Sequence, residues 1–109
     1  MIANYQQPGA AIDYANGTSS TIAAGQVVSL TTRIGVAGTD IPAGQVGSLY
    51  TKGVFSMPKA ASTAITIGAA VYYDATGDNI TTTASSNIPA GWAIAAAAEN
   101  DTTVQVCIG

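Results

Sequence analysis

β-branched residues in short runs, fenced by turn residues, constrain this chain more than any other feature. Ile, Val and Thr supply about 30% of the 109 residues, while Leu occurs only at Leu30 and Leu49 and Glu only at Glu99. Such side chains stiffen at χ1 and suit a pleated surface, and the good surface helix formers are nearly missing. Twelve Gly and four Pro cut the chain into pieces too short for most helices. Short strands between regularly spaced turns are the pattern of an all-β sandwich or barrel. A chain of this length buries about 65% of its unfolded surface, which means one domain with a modest core.

The runs themselves agree. Val27 to Ile34 follows Ala24-Gly25, and Val46 to Tyr50 follows Ala43-Gly44. From Tyr50 to Met57, Val54 and Ser56 fall on one face and Phe55 and Met57 on the other, with Pro58 ending the ladder. Ile65, Ile67, Ala69, Val71 and Tyr73 alternate with Thr66, Ala70 and Tyr72 as a period-2 strand, and Asp74 to Asn79 reads as the turn into Ile80-Thr81-Thr82-Thr83. Ile22-Ala-Ala-Gly-Gln-Val-Val-Ser-Leu30 recurs as Ile41-Pro-Ala-Gly-Gln-Val-Gly-Ser-Leu49, with a shorter echo at Ile88-Pro89-Ala90-Gly91. Each copy reads as a turn feeding a strand, a reused local solution and not a solenoid.

At the C-terminus two readings stand. Ala95 to Ala98 suits a short helix on propensity, which is marginal alone. The hairpin reading is preferred: Trp92, Ile94 and Ala96 inward, a turn at Glu99-Asn100-Asp101, then Val104, Val106 and Ile108 inward.

Charge and chemistry exclude more than they offer. Charged residues make up 8%, against roughly 25% in ordinary soluble domains, and six acids against three bases leave a net charge of −3. That balance speaks against nucleic acid and against a polybasic membrane patch, so neither is expected as a partner. The opening Met-Ile-Ala-Asn-Tyr-Gln-Gln-Pro has no basic or apolar region of a secretory signal, and the longest apolar run, Trp92 to Ala98, falls far short of the roughly 20 residues of a membrane helix. Without histidine, no Ser-His-Asp or Cys-His site forms from this chain. Cys107 has no CxxC partner and reads as a small hydrophobe. There is no GxxxxGK loop and no calcium-loop spacing, although Asp74 and Asp78 flank one turn. Asn-x-Thr triplets at Asn16, Asn79 and Asn100 read as turn asparagines. No enzyme, metal or cofactor is expected.

What remains is a surface of Thr, Ser, Asn, Gln, Ala and Gly with little colloidal repulsion, suited to life inside an assembly. Residues 1–26 read as an N-terminal arm and first turn, and residues 27–109 as the all-β domain. Asn4 to Gln26 carries only isolated apolar residues, so a partner would order it, for instance by accepting it as an extra strand. Trp92 reads as a core anchor. The rival reading joins it to Tyr5, Tyr14, Tyr50, Tyr72 and Tyr73 as a sugar-stacking platform, making the chain a carbohydrate-binding β-sandwich.

Gly53-Val54-Phe55-Ser56-Met57-Pro58-Lys59, then Gly68-Ala69-Ala70-Val71-Tyr72-Tyr73-Asp74, then Gly91 through Val106 stand in an order that resembles the small capsid cement, or decoration, proteins of tailed bacteriophages. The opening Asn4-Tyr5-Gln6-Gln7-Pro8-Gly9 is similar too, so the resemblance spans nearly the whole chain. The chain departs from it in the segment at 16–21 and at Trp92, where a smaller aliphatic residue is expected. The resemblance implies an all-β protein, made in the host cytoplasm, that binds the major capsid protein on the outer surface of the virion as a homotrimer and stiffens the shell without catalysis. On that basis Tyr5, Gln6, Gln7, Pro8 and Ile12 are the expected capsid-binding arm, and Phe55, Met57 and Pro58 the expected subunit interface.

Overall fold

The computed structural model describes residues 1–109 and contains nine strands and no helix. In chain order they are β1 (Ala11–Ala15), β2 (Val27–Ser29), β3 (Ile34–Ala37), β4 (Val46–Tyr50), β5 (Gly53–Pro58), β6 (Ala70–Asp74), β7 (Asn79–Thr81), β8 (Ile88–Ala93) and β9 (Thr103–Ile108). They form two antiparallel sheets, β1-β4-β3-β2 and β5-β9-β8-β6-β7. The all-β sandwich expected from the sequence is the fold. The barrel alternative is not: the larger sheet curls until Lys59, just past β5, makes a single bridge to Ile80 of β7, and no ladder closes it.

Period-2 alternation places the core. In β3, Ile34 and Val36 face the larger sheet and join Met57, Ile65, Val71, Ile80, Ala90, Ala93, Ala97, Val104, Val106 and Ile108 in one cluster. Gly35 and Ala37 face the other way, so all four β3 residues are buried. On that second face Ala37 joins Ile22, Val28, Ile41 and Leu49, with Ile12, Tyr14 and Leu30 against them. The smaller sheet is thus covered on both sides. A Cβ on Gly35 would lie 2.6 Å from the Leu49 side chain, so only glycine leaves Leu49 its place.

The duplicated segments form the outer cover. Ile22 and Ile41 exchange reciprocal backbone hydrogen bonds of 2.9 and 2.8 Å, and each runs into a tight turn closed at 3.0 Å, Gln26 N–H to Ala23 C=O and Gln45 N–H to Pro42 C=O. Gly25 and Gly44 take φ of 85° and 75° at the third turn position, the type II geometry that favours glycine. The same device returns in the other sheet, where Ile65 and Ala97 pair reciprocally at 2.9 and 2.8 Å and lead into turns at Thr66–Ala69 and Ala98–Asp101. The echo at Ile88–Gly91 is something else: those residues lie inside β8.

Two expectations change here. Within residues 1–26, β1 pairs along β4, Ile22 bridges to Ile41, and Asn16 and Ile22 are buried. The segment gains a core role because β4 and the Ile41 turn supply the apolar partners it lacks alone. At the C-terminus no helix forms, and the Glu99–Asp101 turn and inward Val104, Val106 and Ile108 are present. Trp92 and Ile94, however, lie on the outer face, and Ala90 and Ala93 point inward. The cause is a β-bulge: Val71 pairs with Gly91 but Tyr72 with Pro89, which inserts Ala90 and reverses the alternation of β8.

Candidate docking surface

The five-stranded sheet turns an apolar row to solvent. Pairing in register aligns Val54 of β5 with Cys107 of β9, Cys107 with Trp92 of β8, and Trp92 with Ala70 of β6. Partners in an antiparallel ladder share a face, so these four side chains form one stripe across four strands. Val54 is 51% exposed and Trp92 47%, Ala70 is exposed, and Cys107 lies half-buried between the first two. Tyr72, Pro89 and Thr81 form a second row beside it, and Ser56, Gln105 and Ile94 flank it on the other side. None of these residues is Asp, Glu, Lys or Arg. A shallow cleft of about 430 Å³ continues the face past Val54, Ser56 and Gln105 to Ala95–Ala97 and Asp101.

Gly91 makes the row possible. Its φ of 135° is closed to ordinary L residues, and a Cβ there would stand 2.0 Å from the Cys107 carbonyl oxygen. Glycine lets β8 and β9 close up beneath Trp92. A sequence signal for this existed: Gly91 precedes the lone tryptophan, and glycine inside a strand pattern marks a bulge or a close backbone approach.

The N-terminal residues meet the body at Thr51, two residues before β5 begins. Residues 1–8 are exposed; Met1, Ile2 and Tyr5 stand 121, 91 and 82% open. The segment is tied down where Thr51 N–H donates to the Ala10 carbonyl at 2.9 Å and the Thr51 hydroxyl donates to the Gly9 carbonyl. Three residues later the chain reaches Val54, the first member of the row.

Of the expected arm residues, Tyr5, Gln6, Gln7 and Pro8 lie together in this exposed segment. Ile12 does not: it pairs with Leu49 in β1 and packs against the second core cluster, since one residue of sheet periodicity turns it inward. Of the expected interface residues, Met57 is a core side chain at 3% exposure. Phe55 is half-buried on the same face, its ring centroid 6.0 Å from that of Tyr50, and Pro58 is exposed opposite Thr103. All three line the open side of the sandwich, a groove of about 310 Å³ shared with Gly25, Val27 and Tyr50.

Three polar groups hold the loops. Asn16, 1% exposed, donates through Nδ2 to the carbonyls of Ser20 and Ile41, both at 2.8 Å, and accepts at Oδ1 from the Thr18 amide and hydroxyl. Buried Lys59 donates to the carbonyls of Ala60, Thr63 and Glu99, stapling the loop after β5 to the turn before β9. The Tyr73 hydroxyl donates to Asp78 at 2.7 Å; burial first, then the bond and charge of Asp78 and the charge of Asp74, push its pKa up to about 12. No group of three or more His, Cys, Asp or Glu is placed to hold a metal ion.

Exposed apolar stripes of this kind are a common feature of surfaces that meet other proteins. The phage cement protein family model matches residues 6–108, and the chain belongs to that family. It is thereby a structural protein associated with the bacteriophage capsid. No curated protein and no solved structure matches the chain.

Proposed function

We propose that the protein is a non-catalytic cement that attaches to the outer surface of the phage head as a homotrimer and ties neighbouring subunits of the major capsid protein together. Membership of the cement family carries this reading. The mechanism is avidity. Each copy offers a weak footprint, and linkage of three footprints makes the second and third contacts intramolecular, a gain of about 10²–10⁴ in net attachment. Residues 1–8 supply one such footprint, with Tyr5 and Pro8 as its apolar handles; their exposure and lack of partners in their own chain support this. Phe55 and Pro58, at the open side of the sandwich, serve contact between copies.

Deletion of residues 1–9 tests the arm. The cut stops short of β1, so the sheet keeps all its strands. The truncated protein should retain its oligomeric mass by light scattering and lose co-sedimentation with expanded heads. Undiminished co-sedimentation removes the arm from the contact.

The exposed ring of Trp92 favours one other reading, a sugar-binding face with Tyr72 beside it. Tyr73 cannot take part, because it pairs across from Ile80 on the inner face and packs on the core. A saturable change of tryptophan emission with oligosaccharides would favour the sugar; the cement reading requires none.

A further inference from the structure

We infer that the outer face of the five-stranded sheet, centred on the row Val54–Cys107–Trp92–Ala70, is the surface that the coat lattice covers. The inference rests on the cement reading and names where that contact falls.

Three observations point to the coat and not to a second copy. The first is continuity: the arm leaves the body at Gly9–Ala10 against Thr51, three residues before Val54 begins the row, so a partner held by the arm is near this edge of the face. The second is size. Four strands at the usual spacing and three residue rows give roughly 300 Å², well under the roughly 800 Å² per partner of a stable complex. Such a face fails to hold two free copies together, yet suffices where an arm adds to it and many copies sit on one shell. The third is charge. The chain has six acids and three bases, and none of them falls in the row Val54–Cys107–Trp92–Ala70. A footprint of this kind depends on desolvation of Trp92 and its neighbours and not on ion pairs, so salt leaves it in place.

Cys107, the only cysteine, and Trp92, the only tryptophan, make the face testable in the full-length protein. Maleimide modification of Cys107 is compared for free protein and for protein bound to expanded heads; Val54→Cys in a Cys107→Ser background gives the same comparison at a more exposed position. Modification should slow at least tenfold on heads. Trp92→Ser, whose side chain leaves the core untouched, should weaken attachment at least tenfold with an unchanged melting temperature, and wild-type attachment should survive about 1 M salt, where charge contacts are screened within about 3 Å. Equal modification rates on and off heads overturn the assignment while leaving an arm-mediated cement intact. Shielding of both thiols before heads are added gives the face to a second copy and also overturns it. Failure of the wild-type protein to attach at all, with its thiols open, is a failure of the cement reading itself.

Discussion

Asn16 carries the most constrained chemistry of any single residue, because both of its donors and its acceptor are used inside the protein. Asn16→Asp keeps the shape but sets a carboxylate against the carbonyls of Ser20 and Ile41. The loss should be about 3 kcal/mol or more in urea unfolding at neutral pH, the range for an uncompensated buried charge. Lys59 is the converse, a buried cation whose three protons all meet carbonyl oxygens. Lys59→Met removes the staple and should cost about 2 kcal/mol, as for hydrogen bonds to a charged group. Tyr73 sets an alkaline limit. Its pKa of 10.0 in the unfolded chain rises to about 12 in the fold, so the neutral phenol is the form the fold favours. The stabilisation is whole below pH 10 and is lost as pH climbs through 12. A near-ultraviolet titration should show a tyrosine step near pH 12, and Tyr73→Phe should abolish that late step.

At the scale of elements, the recurring unit is a buried bridge residue, a tight turn and a strand. It occurs at Ile22, Ile41, Ile65 and Ala97, paired two and two. Each pair seals one sheet at a spot where strand pairing has ended, so the bridge residues are core although they lie in loops. Ile41, fully buried, should behave as a strand residue: Ile41→Ala is expected to lose 2–5 kcal/mol, read from the denaturation midpoint. Strand β8 is the other decisive element. Gly91→Ala forces a Cβ onto the Cys107 carbonyl, so β8 and β9 must part and the row across Trp92 breaks. A loss above about 3 kcal/mol is expected, in the tail of large single-residue effects, with loss of ordered near-ultraviolet tryptophan dichroism.

For the whole molecule, the smaller sheet is shared between two cores, one against the larger sheet and one beneath the Ile22–Ile41 cover. With β3 buried on both faces, neither layer unfolds without exposing the other, so a single cooperative transition is expected by calorimetry. Residues 1–9 lie outside both cores, and their deletion should leave that transition in place, its midpoint moved by less than about 2 °C. Neither residues 1–9 nor the row Val54–Cys107–Trp92–Ala70 contributes to the two cores.

What the residues determined alone was local. β-branched runs fixed strands, Gly and Pro fixed turns, and alternation sorted Phe55 from Val54 and Val104 from Gln105, because strand periodicity is a property of consecutive backbone units. The ordered motifs also carried the family. The tertiary structure decided what depends on residues distant in the chain. Whether Ile12 belongs to an arm or a sheet turns on Leu49, and whether Met57 meets a partner or the core turns on the opposite sheet. Trp92 faces out because one inserted residue in β8 shifts its register against β6, and a slip of one residue exchanges the two faces of a strand.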